Sequence, residues 1–299
     1  MQLRVLGSAA GGGFPQWNCG CANCAGLRAG TLRVRARTQE SLAVSGDGEH
    51  WFLLNASPEI RAQLESFPPL WPRAKRHSPV SGVLLSNGDL DHCLGLLSLR
   101  ESHPIAVFST AAVRRGFAEG NALYRTLERF PGQLRWHELA LGRELALEGG
   151  LSVTALAVPG KLPIHLEGTR APSAEDNVAL CVREQASGRR LAYLPAVAGD
   201  GPAVSAAVEG ADCVFFDGTF WSSDELVAAG LGSKRAEDMA HWPVGGAQGS
   251  LGFLSKLACR RVLIHLNNTN PLLREDGPEA AAVRAAGVEI AFDGMELRV

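Results

Sequence analysis

The chain has 299 residues, 46% hydrophobic and 20% charged, with a formal net charge of −2. That balance fits a globular α/β protein and gives no electrostatic basis for binding nucleic acid or an anionic membrane surface. No apolar run approaches the roughly 18–20 residues of a spanning helix, and the N-terminal apolar stretch is too short for a signal peptide. No membrane insertion is therefore expected, and a cytoplasmic location is.

In chain order, short apolar runs predict strands over residues 3–6, 42–45, 51–55, 83–85, 105–108, 153–157, 178–182, 191–194, 214–217 and 262–266. Helix signals fall at 58–64, 110–119 with Ser109 as the N-cap, 223–229, 250–257 and 278–286, and residues 94–99 read as the start of another. The Pro- and Gly-rich stretches 67–81 and 159–173 read as loops that cover or rim a site. Early hairpins followed by mixed strands and helices predict stacked sheets covered by helices. Nothing along the chain looks like a linker, so a single domain over 1–299 is expected.

Seven cysteines are present. Cys93, Cys181, Cys213 and Cys259 are scattered, whereas Cys19, Cys21 and Cys24 lie within six residues of a Gly-rich segment. An odd count favours metal binding over disulfide pairing. Three thiolates at that spacing predict three ligands of a closed structural Zn(II) site.

The run Ser86-Asn87-Gly88-Asp89-Leu90-Asp91-His92-Cys93 follows a buried strand and puts two carboxylates and an imidazole on one short turn. Like charges that close repel unless a cation or a proton offsets them. Turn or N-cap duty is the plainer alternative for these aspartates. Two more apolar strands end in metal-ligating residue types, Asp217 after 214–216 and His265 after 262–264.

The register Asn87-x-Asp89-x-Asp91-His92-x-x-Gly95 resembles the metallo-β-lactamase superfamily signature His-x-His-x-Asp-His-x-x-Gly. Asp217 then resembles the family's bridging aspartate and His265 its last metal ligand. The departures matter most. Asn87 and Asp89 stand where the first metal's two histidines belong, although Asp89 stays a possible ligand. Lys161 follows the segment that usually brings that metal's third ligand, and His165 is a weaker substitute. What remains is Asp91, His92 and His265, with Asp217 as an additional ligand or a supporting group. Two imidazoles and a carboxylate with open positions are the ligand set of non-haem Fe(II) oxygenases.

Six segments in order resemble the coenzyme PQQ synthesis protein B family over essentially the whole chain. They are Cys19-Gly20-Cys21-Ala22-Asn23-Cys24, Leu54–Ile60, Asp89–His92, Asp217–Trp221, Met239-Ala240-His241-Trp242-Pro243 and His265–Asn270. The resemblance implies an αββα four-layer sandwich of the metallo-β-lactamase type and a part in making pyrroloquinoline quinone (PQQ). It implies an Fe(II)-dependent hydroxylase, or one using another divalent metal, acting with O2 on the tyrosine ring of a Glu–Tyr cross-linked precursor. Other PQQ biosynthesis proteins would be its partners. It further suggests His241 as a catalytic or orienting histidine and Asn268 as fourth ligand of the cysteine site. Lys161 would pair with substrate carboxylates. Two rival functions are a hydrolase in which Asn87, Asp89 and His165 rebuild the first site, and a carrier of the quinone or its precursor toward the periplasm.

Overall fold

Alternation along the strands sorts the apolar side chains into three layers of core. From the strand Trp51–Leu54, Phe52 and Leu54 face one core while Trp51 and Leu53 face another. In the computed structural model, which describes residues 1–299, this pattern builds two seven-stranded sheets packed face to face.

The first sheet holds β1 (Gln2–Gly7), β2 (Ser41–Ser45), β3 (Trp51–Leu54), β4 (Val80–Leu84), β5 (Ile105–Ser109) and β6 (Leu134–Glu138). The second holds β7 (Glu144–Ala146), β8 (Leu151–Ala157), β9 (Val178–Glu184), β10 (Arg190–Leu194), β11 (Cys213–Asp217), β12 (Arg260–Ile264) and β13 (Glu289–Ile290). The last strand, β14 (Glu296–Arg298), returns to pair antiparallel with β1. Both sheets mix antiparallel hairpins with parallel pairs, β3–β4–β5–β6 in one and β10–β11–β12–β13 in the other.

Leu3, Val5, Leu42 and Leu84 meet Val153, Leu180, Tyr193, Phe215 and Ile264 between the sheets. Outside the first sheet, Leu53, Val83 and Val107 pack with Ile60, Leu96, Val113 and Phe117. Outside the second, Val214, Phe216 and Leu263 pack with Val204, Leu254 and Val283. The helices Ile60–Glu65 and Ala111–Ala118 cover one face; Pro202–Val208, Ser250–Leu254 and Pro278–Ala285 cover the other. This is the expected four-layer αββα arrangement. No helix is long and apolar enough to cross a membrane.

Several local expectations shift. The cap of the 111–118 helix is Thr110, not Ser109: the Thr110 hydroxyl accepts from Val113 N at 3.3 Å. Residues 94–99 form a 3₁₀ turn, and the α-turn lies before it, at Leu90–Cys93. The helices at 223–229 and 250–257 shorten to Glu225–Ala228 and Ser250–Leu254. Two helices arise where none was expected, Ala22–Ala29 and Pro202–Val208.

The two sheets are joined at the end where β1, β4, β11 and β12 finish. Ala10 N donates to Leu266 O at 2.8 Å and Leu266 N to Ser8 O at 2.9 Å, so the exit of β1 zips onto the exit of β12. Val178 N donates to Ser86 O at 2.8 Å, tying the exit of β4 to the start of β9. These ties bring Asp91, His92, Asp217 and His265 together.

Candidate metal centre

The turn after β4 is built to present His92. Asn55 Oδ1 accepts from Ser86 N at 3.0 Å and Ser86 Oγ at 3.1 Å, fixing the strand exit. Asp89 takes the extended N-cap conformation, and Asp91 and His92 fall in the helical turn Leu90–Cys93 that follows. His92 O accepts from Ala56 N at 2.7 Å, and Gly95 N donates to Ala56 O at 3.0 Å. A Cβ on Gly95 would stand 2.2 Å from Ser57 O. Only glycine lets the turn press this closely on the chain leaving β3.

Three imidazoles share one design. His92 Nδ1 lies 2.7 Å from Asn87 Oδ1, His265 Nδ1 lies 2.7 Å from Thr219 Oγ1, and His241 Nδ1 lies 2.7 Å from Asp217 Oδ2. A ring that donates from Nδ1 keeps its lone pair at Nε2, the tautomer a metal ligand needs. The Thr219 hydroxyl donates to Asp217 Oδ1 at 2.6 Å, so its own oxygen is left to accept from His265. The rings of His92 and His265 meet edge to face at 5.1 Å, and His241 stacks on His265 at 5.4 Å.

His92 Nε2 is buried with no hydrogen-bond partner. Asp91 Oδ2 lies 3.8 Å from it and 3.1 Å from His265 Nε2. Ligand atoms of Asp91, His92 and His265 all fall within 4.8 Å of one another, a spacing that one divalent cation can bridge. An orphaned buried nitrogen is costly unless something fills the gap, and a cation there satisfies it. The donor set therefore fits a metal.

Charge states agree with that fit. Burial pushes His92 down to about 4, so its ring is neutral near pH 7. Burial also works against ionising Asp91, but the His92 and His265 imidazoles outweigh it and hold the carboxyl below the usual range. His265 is raised, because its hydrogen bond to Asp91 and the surrounding carboxylates outweigh burial. A metal must displace that proton to use His265.

Asp217 is fully buried, with both oxygens engaged. Oδ1 accepts from Thr219 N and Oγ1, and Oδ2 from Val197 N at 2.9 Å and from His241. As placed it anchors His241 and Thr219, and it would have to release hydrogen bonds to bind a metal. Asp89 sits at the rim, half-buried; burial and the Asp91 charge raise its carboxyl, while Lys161 opposes them. Lys161 is thus a cation beside Asp89 at the mouth.

Asn87, standing where a first-metal histidine was looked for, has its oxygen fully engaged. Its Oδ1 takes His92 Nδ1 and Asp89 N, and its Nδ2 donates to Asn177 Oδ1 at 3.2 Å. His165, the alternative ligand for a rebuilt first site, lies exposed on the turn Ile164–Leu166, with Nε2 3.4 Å from Gly116 O and away from the cluster. The three-ligand first site is therefore not rebuilt from Asn87, Asp89 and His165.

Two groups at this centre escaped sequence reasoning. Thr219 carries no signal apart from following Asp217. Glu40, immediately before β2, is fully buried, with Oε2 3.6 Å from His92 Nε2. It accepts from Asn55 Nδ2 at 2.9 Å and bonds the buried Tyr193 hydroxyl. Burial pushes its carboxyl up to about 8.

The second centre lies where β1 leads into the helix Ala22–Ala29. Cys19, Cys21 and Cys24 place their sulfurs within 4.8 Å of one another, and all three are free thiols. Hydrogen bonds from the Cys24 backbone and the neighbouring thiols outweigh burial and lower Cys21, while burial pushes Cys24 up to about 11. Asn268 Nδ2 is 3.1 Å from Cys19 Sγ and 3.6 Å from each of the other two. As placed, the Asn268 amide donates to the sulfurs; turning it over would present Oδ1 as a fourth ligand. Three convergent thiols fit a structural zinc ion.

Comparison with known proteins follows the same lines. The family profile described as "Beta-lactamase superfamily domain" matches residues 50–266. "Coenzyme PQQ synthesis protein B" of Azotobacter vinelandii is 44% identical over 300 residues, covering 99% of each chain. The protein of the same name from an Azoarcus species is 46% identical over 303 residues, again covering 99% of each. The crystal structure of Zn(2+)-bound PqqB from Methylobacterium extorquens superimposes with a TM-score of 0.94 at 42% identity, covering 100% of both chains.

Proposed function

Because the chain belongs to the coenzyme PQQ synthesis protein B family of the metallo-β-lactamase fold, we propose that it acts in PQQ biosynthesis as an Fe(II)-dependent hydroxylase. Its substrate would be the tyrosine ring of a Glu–Tyr cross-linked precursor supplied by other proteins of the pathway. The observation that carries this proposal is a two-imidazole, one-carboxylate centre of Asp91, His92 and His265, with Asn87 bonded to His92 rather than placed as a ligand. A dinuclear hydrolase needs two ions to clamp and activate water, and Asn87 and His165 are not placed as ligands for a first-site ion.

Asp91, His92 and His265 would hold the iron, which when bound supplies activation of O2 at its open positions. The protein's own groups do the rest. Asn87 and Thr219 fix the ring tautomers of His92 and His265. Asp217 holds the proton on His241 Nδ1, which leaves Nε2 to accept a phenolic proton. Lys161 at the mouth would pair with a substrate carboxylate.

The test is Fe(II) titration of zinc-loaded protein, with O2 uptake measured on a tyrosine-derived cross-linked substrate. One iron per chain and hydroxylated product are expected, with both lost in Asp91→Ala and His92→Ala. Full turnover in both variants overturns the proposal. Quinone binding without O2 uptake favours the carrier.

A further inference from the structure

The thiolate centre and the imidazole centre are joined by an unbroken buried path. Asn23, between Cys21 and Cys24, donates from Nδ2 to Asn268 O at 3.2 Å and Asn270 O at 3.0 Å. Asn270, fully buried, donates from Nδ2 to Gly218 O at 2.8 Å and Thr219 O at 3.0 Å. Its Oδ1 accepts from Leu272 N at 2.9 Å, which leaves the amide no freedom to turn over. Asn267 N also donates to Thr219 O, at 3.0 Å. The carbonyls of Gly218 and Thr219, the two residues after Asp217, are therefore set by the 267–270 turn, and that turn is held by Asn23.

The path ends on a residue that needs holding. His265 has φ +64°, a left-handed conformation uncommon for any residue but glycine. His265 leaves β12 in that conformation and enters the turn that Asn23 and Asn270 pin. The same path positions the Thr219 hydroxyl, which fixes the His265 tautomer.

We propose that Asn23 and Asn270 are positioning residues through which zinc at the Cys19–Cys21–Cys24 cluster tightens metal binding at Asp91, His92 and His265. Zinc fixes the backbone on both sides of Asn23. Asn23 holds the 268–270 turn, Asn270 holds Thr219, and Thr219 holds the His265 ring. The two centres thereby share one ligand-support system, and the affinity of the second depends on the occupancy of the first. This inference rests on the assignment of Asp91, His92 and His265 as metal ligands, and the experiment separates the two.

Co(II) binding at the imidazole centre is followed by its ligand-field absorption and by chelator competition, in full-length protein with zinc either loaded at the thiols or removed by Cys19→Ser/Cys21→Ser, so that Co(II) does not refill the thiol centre. Loss of the signal in His92→Ala identifies the centre; a wild type without the signal defeats the ligand assignment itself. With the signal present, zinc removal and Asn23→Ala are each expected to weaken Co(II) binding on the order of tenfold, the scale of lost ligand support. Combining them should cost no more than either alone, and Asn270→Ala should shift the Co(II) bands. A thermal midpoint for each variant, measured with zinc present, checks that the chain stays folded; should Asn23→Ala not fold, zinc removal from Asn23→Ser replaces it. Equal Co(II) affinity in the zinc-loaded wild type and in the cysteine variant overturns the inference, and so does a double perturbation whose losses multiply.

Discussion

Glu40→Gln is expected to stabilise the metal-free protein, and by more as pH rises. The Glu40 carboxyl is fully buried among Asn55, Tyr193 and His92, and burial raises it from 4.5 to about 8. Between those values the unfolded chain has released the proton and the folded chain still holds it. Stability therefore falls as pH rises through that window, by about 1.4 kcal/mol per unit, or roughly 5 kcal/mol in all. Glutamine cannot ionise, yet it keeps both bonds: Oε1 can accept from Asn55 Nδ2 while Nε2 donates to the Tyr193 oxygen. The variant should match wild type near pH 4.5 and exceed it by several kcal/mol at pH 8. Urea unfolding of chelator-treated protein at pH 5, 6.5 and 8 measures the difference. A divalent cation bound at His92 Nε2, 3.6 Å from Glu40 Oε2, would also drive the proton off. Metal loading at pH 7 should then release a proton in wild type that the variant does not. A wild-type-to-variant gap that stays constant with pH would refute the assignment of a neutral Glu40.

Thr219→Val removes the hydroxyl but keeps the shape, freeing His265 Nδ1; metal affinity should drop on the order of 10–100-fold, seen by chelator competition, while Thr219→Ser restores most of it. Asn87→Ala should weaken metal binding similarly, because His92 Nδ1 loses its acceptor, with the fold intact by circular dichroism. Gly95→Ala drives a Cβ onto Ser57 O and should cost roughly 1–3 kcal/mol or more, read as a lower thermal midpoint. His165→Ala should leave metal stoichiometry unchanged, since His165 is exposed and turned toward Gly116.

What could be read in the sequence follows from which interactions are local. All four strands that periodicity missed, β6, β7, β13 and β14, are the edges of the two sheets. An edge strand is short and partly solvated, so its sequence, such as Leu134-Arg135-Trp136-His137-Glu138, carries no apolar run to detect. The interior strands announce themselves because both of their faces are buried. The ligands divide the same way. Asp217 ends an apolar strand, His265 follows one directly, and Asp91 and His92 lie on the turn that leaves one, so the topology that aligns strand ends also gathers them. Glu40 and Thr219 act on these ligands through side-chain bonds across the fold, and nothing in their own neighbourhoods marks that role; Asn87 is marked by the motif, but its bond to His92 is not.

Asn87 has a role that comparison with a histidine does not reveal. Compared with a histidine, it reads as a missing ligand and a vacated metal position. In the structure its oxygen holds the Nδ1 proton of His92, and its amide is locked to Asn177 where β4 meets β9. Asn87 thus gives His92 a firm orientation, and its side chain is not free to act as a ligand. Asp91, His92 and His265 form a tautomer-fixed pair of imidazoles with one carboxylate, and His265 is shared with the neighbouring Asp217 and His241. Such a centre cannot clamp a leaving group between two cations, but it leaves coordination positions open for a small molecule. That contrast bears on the chemistry as much as the surviving ligands do.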